Sequence, residues 1–588
     1  MSAEAELLSI LPSIEVATLL VDNYFDRIHW FMLVFHQSDF REGFEQLYDI
    51  ISQTSTERNV RLGFLAVFAA VIVVSSQHVD CRQKDIAVRH GVQLNNLQQK
   101  LLTTLRLRIL DIVSLGSIDA VQTCVLLGSF YLYHGDPQLA WPICGNGLRI
   151  AQALNLHRRQ PSKTSQTPDL DDAVQRAEET RKRCWWAVYE IETFCSMLYG
   201  FPLSINDVDC DIELLNPYPL RSQHSSWTSK DWRRTGQATL LSYKYSMVTL
   251  SIIVKSALTE LYGLRQGFPA NRGLAEVNAS RLQAMVTTVS NLDSRLQRWY
   301  QKLPRRLKID ERRNAPGTET RSMGPPGDEA TQPDNAFQEH LFELQALALK
   351  LAFENARILV HRPLLSYKMV VHPQASGGLN ASQQTQLSDP FRVAVLACRD
   401  AALEISRVGT TPTFSKCADT YAVSFISLHL FTAAVALSIM TSQDPLSQES
   451  HESKLGMRRL MAMQAQLKTR SIVAEQGYMI LKKLISLVVQ KEMEKMLEVP
   501  EPYGEEAQDS GHLQRNEFAV GNNTSETQAN SGTALSLIDT GEGFQGGLDT
   551  NFLPSSELDA LSFDFYEDPT VTQALIDFEQ GSLRTILI

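Results

Sequence analysis

No two cysteines in this chain stand close enough to form a metal-binding pair. The eight lie at positions 81, 124, 144, 184, 195, 210, 398 and 417, and their tightest spacings are 11 and 15 residues. Four-coordinate zinc draws its thiolates or imidazoles from short-spaced pairs, so no zinc cluster is expected within these residues. Reduced, mostly buried thiols of an intracellular protein are expected instead of a disulfide framework. Long apolar runs are also missing. The longest, Phe64–Val74, has eleven residues, against about 20 for a bilayer span, and reads as a buried core segment. Near Met1 stand Glu4 and Glu6 with no basic stretch, so a secretory signal is not expected. The Walker, H-E-x-x-H and G-x-S-x-G motifs do not occur, and Gly145-Asn-Gly-Leu-Arg-Ile150 is an incomplete dinucleotide fingerprint with no strand before it. No acid/base constellation supports chemistry, so an enzyme is not expected, and neither a cofactor nor a resident metal is implied.

What the chain does have is helical periodicity. Leu94, Leu97, Leu101, Leu102 and Leu105 form one 3.6-residue stripe, as do Leu341, Leu344, Ala348, Leu351 and Ala352. Trp185, Val188, Cys195 and Leu198 form a third. Residues 238–262 and 421–440 are apolar around most of a helix, the pattern of a fully buried one. Strand-type alternation between hairpin turns is hard to find. The expected fold is all-α: a large bundle-like domain with polar loop inserts at 160–169, 206–220, 312–335 and 372–390. Domain boundaries are read at 10–500 for the helical body and 501–588 for a tail. Net charge is -11 overall, yet residues 501–588 hold 16 acids against two basic residues, Arg515 and Arg584, leaving the body at +3. So nearly neutral a body gives little non-specific DNA affinity through counterion release.

Five segments in order resemble the fungal-specific transcription factor domain, the helical regulatory region of fungal zinc-cluster activators. They are residues 19–40 (LLVDNYFDRIHWFMLVFHQSDF), 117–158, 179–217, 292–307 (LDSRLQRWYQKLPRRL) and 359–365 (LVHRPLL). The third is the most specific: Arg181, Arg183, Trp185 and Trp186 open a helix, Gly200-Phe201-Pro202 ends it, and Asp207, Asp209, Cys210 and Asp211 fill the loop. The resemblance spans about residues 10–440. It implies a nuclear transcription regulator governing a metabolic or biosynthetic gene set, dimerising with itself or with a zinc-cluster relative. Family members carry an N-terminal zinc cluster, and none is visible here. DNA contact is therefore expected through a partner or through an upstream cluster, and zinc only with the latter. The alternatives are a negative co-regulator that sequesters full-length relatives, and an all-α small-molecule-binding protein or enzyme.

The tail interleaves Leu558, Leu561, Phe563, Phe565 and Tyr566 with Glu557, Asp559, Asp564, Glu567 and Asp568, and repeats the mixture around Phe578. Repelling acids keep neighbouring aromatics hydrated and available to a partner's groove. This is the composition of an activation region that recruits transcription machinery or co-activators. A basic run, Lys302, Arg305, Arg306, Lys308, Arg312 and Arg313, is a candidate nuclear import signal. Arg181, Trp185, Trp186, Gly200, Pro202, Asp207, Asp209 and Cys210 are read as structural. The Asp207-Val-Asp-Cys-Asp211 acids lack the Gly and Glu of a calcium loop, with Ile212 and Tyr218 in those places. His29 and His36, seven apart, have no third ligand nearby and read as core or surface histidines.

Overall fold

The computed structural model describes residues 2–53, 60–159, 168–217, 238–262, 274–309, 333–371, 390–418 and 420–497. The tail residues Leu558, Leu561, Phe563, Phe565, Tyr566 and Phe578, together with Arg312 and Arg313, lie outside them. The described residues contain helices and turns and no strand, as the periodicity leads one to expect. In chain order the helices are α1 (Ala3–Ile10), α2 (Ile14–Arg27), α3 (His29–Met32), α4 (Gln37–Ser52), α5 (Leu62–Ser76), α6 (Cys81–Arg89), α7 (Leu94–Leu107), α8 (Ile109–Ser114), α9 (Ile118–Tyr133) and α10 (Pro137–Ala153). They continue with α11 (Pro168–Tyr199), α12 (Leu240–Leu261), α13 (Leu274–Lys302), α14 (Pro333–Val371), α15 (Pro390–Arg407), α16 (Pro412–Cys417), α17 (Val423–Gln443), α18 (Gln448–Leu467) and α19 (Ile472–Leu497). The described residues up to Met493 make one compact unit. A second, Glu494–Phe563, enters them only as the last turn of α19.

The apolar run of Phe64–Val74 becomes α5, a helix buried almost all round from Leu65 to Ser76. Its β-branched end would suit a strand, but α2 and α9 pack on both sides and burial overrides that preference. Asn23 of α2 fixes the contact: its Nδ2 donates to the Ser75 carbonyl at 3.1 Å and to Ser75 Oγ at 3.0 Å. The Leu94–Leu105 stripe is buried throughout, and so is the stripe from Leu341 to Ala352. Helices α9 and α10 cross closely because small residues meet there. A Cβ on Gly128 would lie 2.2 Å from Cys144 Sγ, and one on Gly147 would lie 2.9 Å from Cys124 Cβ.

Helix α17 is long and apolar enough to cross a membrane by length and composition, yet 78% of its apolar window is buried inside the protein. Two of its serines bond neighbouring helices. Ser424 Oγ donates to the Tyr133 carbonyl at 2.9 Å, and Ser427 Oγ to Gln464 Oε1 at 2.7 Å. Just before α17, Tyr421 Oη donates to Ser129 Oγ at 2.7 Å. The bonds to Tyr133 and Ser129 tie this region to α9, far earlier in the chain. One boundary differs from expectation. Helix α11 begins at Pro168, inside the stretch read as a linker and well before Arg181, because residues 174–183 (VQRAEETRKR) are mostly strong helix formers. The arginines and tryptophans therefore sit mid-helix, where they can reach other elements.

Candidate functional site

The motif residues of α11 fasten the helix and the loop behind it to the body. Arg181 Nη2 donates to the Leu154 carbonyl at 2.9 Å, and Arg183 Nη1 to the Phe35 carbonyl at 2.7 Å. Trp186 Nε1 donates to the Glu213 carbonyl at 3.1 Å, while Trp185 is buried with its ring 5.5 Å from His157. Gly200, at φ +70°, ends the helix in the left-handed region that a side chain would resist. The chain then runs extended through Pro202 and is held by Glu192, whose Oε1 accepts the Ser204 and Ile205 amides.

Each loop carboxylate has a partner within the protein. Asp207 Oδ1 accepts from Lys255 Nζ at 2.7 Å, Asp209 Oδ2 from Asn206 Nδ2 at 3.1 Å, and Asp211 Oδ1 from the Arg159 amide at 2.9 Å. Cys210 Sγ donates to the Asn206 carbonyl at 3.4 Å. Among the described residues no three His, Cys, Asp or Glu side chains converge as metal ligands. His29 is buried in α3, and burial lowers its imidazole to about 3. His36 precedes α4 and bonds Ser38 Oγ. Of the basic run, Lys302, Arg305 and Arg306 are exposed, while Leu303 and Leu307 between them are buried. Arg306 lies over the Phe342 ring at 5.3 Å, and Lys308 Nζ donates to the Gln301 carbonyl at 2.9 Å.

A second face of α11 does something different. Ala187, Glu190, Ile191 and Phe194, at i, i+3, i+4 and i+7, line a cavity of about 70 Å³ in the middle of the body. Helices α3, α9, α12, α14 and α17 complete it. The walls are aromatic and thioether: Phe31, Tyr133 and Tyr243 with Met32, Met197 and Met247. Into this apolar space come three charged or titratable groups. Lys244 Nζ, on a side chain only 1% exposed, bonds Glu190 Oε2 at 2.5 Å. Glu190 Oε1 is buried without a partner. Burial holds the Glu190 carboxyl above its ordinary value, against the downward pull of Lys244.

His429 supplies the third group. Its Nδ1 takes the Asn355 amide as donor, which leaves Nε2 as the N–H, buried and without a partner. Burial lowers the imidazole to about 3, so it is neutral at physiological pH. An acceptor oxygen and a donor nitrogen thus stand unsatisfied at the wall of one apolar cavity. An unpaired buried polar atom costs about 1–3 kcal/mol, and a small molecule offering the complementary groups would recover that cost. Apolar walls with a few convergent polar atoms and shifted titrations are the general signature of a ligand site. Sequence reading placed residues 238–262 and 421–440 in the core without asking why such apolar helices hold a Lys or a His. Lys244 and His429 were the visible signal.

Residues 21–301 match the family model described as "Fungal specific transcription factor domain". The chain carries that domain. Among curated relatives it is 28% identical over 206 residues to an uncharacterised transcriptional regulatory protein of Schizosaccharomyces pombe, covering 35% of this chain and 28% of the relative. It is 21% identical over 443 residues to the thiamine repressible genes regulatory protein of the same yeast, covering 75% and 47%. With the activator of stress genes protein 1 of Candida albicans the identity is 25% over 265 residues, covering 44% and 24%. The chain spans less than half the length of these relatives. The matched region takes in α11, most of α13 and the loop that Glu192 holds, so the fastening bonds described above belong to the shared domain. These relatives are named as transcription regulators.

Proposed function

We propose that this chain is a nuclear transcription regulator whose helical body answers to a small molecule held in the central cavity. One observation carries the reading: Glu190 Oε1 and His429 Nε2 are both buried and unpartnered at the wall of that cavity. The effector this favours is largely apolar, with one hydrogen-bond donor for Glu190 and one acceptor for His429. The volume of about 70 Å³ is small, so a metabolite-sized guest must push the walls apart. Met32, Met197 and Met247 can yield to it, because unbranched thioethers repack at low cost. That displacement would carry the signal, since the cavity joins helices from both ends of the body.

Two further roles complete the proposal. The acidic tail recruits transcription machinery through Phe563, Phe565, Tyr566 and Phe578. The body pairs with a second copy or with a zinc-cluster relative, and DNA contact comes through that partner or through a zinc cluster elsewhere in the polypeptide. The similarity to transcription regulators supports both, and the composition of the tail supports the first. To test the cavity, purified full-length protein would be equilibrated with cell metabolites, washed and denatured, and the released small molecules identified by mass spectrometry. A compound retained by the native protein and lost when Ala352, on the cavity wall, is changed to Leu is the expected result. Equal retention by both proteins would overturn the reading.

A further inference from the structure

A second cavity, of about 240 Å³, opens along the adjoining seam of α11, where Val188, Glu192 and Cys195 follow one another at i, i+4 and i+7. Helix α10 forms the facing wall with Trp141, Cys144, Gly145, Leu148 and Arg149, and Ser204 of the loop closes one side. Gly145 belongs to the Gly-Asn-Gly stretch noted in the sequence. A Cβ built there meets nothing within 4 Å, so the helix presents open space at this point.

Glu192 has two different oxygens. Oε1 accepts the Ser204 and Ile205 amides and so holds the loop. Oε2 is buried and has no partner, on a side chain belonging to a residue only 6% exposed. Burial raises the carboxyl above its ordinary value, while the two amides, the Lys255 charge and the Ser204 hydroxyl pull it down. Across the cavity, Arg149 is exposed, with Nη1 donating to Gln152 Oε1 at 2.8 Å. Asn146 and Ser204 add an amide and a hydroxyl to the lining, and burial pushes the Cys195 thiol up to about 12, leaving it neutral.

An acid inside and a guanidinium at the wall make a site with no net charge but a strong internal polarity. A simple anion would face the unpaired carboxylate oxygen, and a simple cation would face the arginine. We propose that this cavity binds a small amino-acid-type zwitterion, its ammonium on Glu192 Oε2, its carboxylate toward Arg149 and its side chain against Leu148 and Val188. Charge-assisted hydrogen bonds at both ends would give orientation as well as affinity. Glu192 also holds the loop that carries Asp207, so occupancy would be felt there. This site shares no lining residue with the central cavity, and neither reading depends on the other.

The test is titration calorimetry on the full chain with free L-α-amino acids, one at a time, followed for the best binder by its matching amine and carboxylic acid. At least one amino acid should bind, with each half-molecule roughly tenfold weaker or worse. Glu192→Gln keeps the oxygen that holds the loop and turns Oε2 into a donor, so binding should fall about tenfold or more in a folded protein. Gly145→Leu fills the open space while improving helix propensity, and should abolish binding without loss of thermal stability. Absence of binding by every amino acid, or binding unchanged in Glu192→Gln, would overturn the proposal.

Discussion

Lys244 shows how much one side chain can demand of its surroundings. This lysine, 1% exposed, meets Glu190 at 2.5 Å, and the cost of burying such a pair offsets much of its attraction. Removing one partner is therefore far worse than removing both. Lys244→Met should cost about 3–5 kcal/mol, because it strands the Glu190 carboxyl in an apolar cavity. The double change Lys244→Met/Glu190→Leu should restore most of that loss. Equilibrium denaturation of the three proteins checks the pattern, and a double variant as unstable as the single would exclude it. Glu190 did not announce this role in sequence, since it lies in an ordinary amphipathic helix. Its pairing with Lys244 joins positions 54 apart and exists only in the fold.

At the level of elements, period and burial were largely legible. The Leu94–Leu105 and Leu341–Ala352 stripes are buried throughout, and the helical reading of Phe64–Val74 holds against its strand-like end. Boundaries were less so. The start of α11 was hidden because polar helix formers and a polar linker have the same hydropathy, and only contacts of Arg181 and Arg183 with Leu154 and Phe35 show where the helix is anchored. The α9/α10 crossing was also invisible in sequence, since nothing local marks Gly128 as facing Cys144. In an exposed helix Gly→Ala gains about 1 kcal/mol. Here the new Cβ would stand 2.2 Å from Cys144 Sγ, and overpacking of that kind costs about 1–3 kcal/mol. Gly128→Ala should thus lower thermal stability, and adding Cys144→Ala should recover it. A stabilised Gly128→Ala single variant would mean that the crossing is looser than described.

At the scale of the whole molecule, charge separates residues 1–500, at a net +3, from residues 501–588, with 16 acids and two basic residues. The central cavity was not readable, because its wall draws on six helices spread from residue 31 to residue 429. The activation role proposed for the tail can be tested apart from the body's fold. With the full chain tethered to a reporter promoter, replacing Phe563, Phe565, Tyr566 and Phe578 by alanine should abolish activation while the body's unfolding transition stays in place. Unchanged activation would remove the tail from the mechanism. The most direct measurement joins cavity to output: reporter activity of the full chain, fused to a heterologous DNA-binding module, across growth conditions that change its activity. Wild-type output should move several-fold between conditions, and the Ala352→Leu protein, its cavity partly filled, should stay fixed at one level. A variant that follows the wild type through every condition would contradict the role given to the cavity.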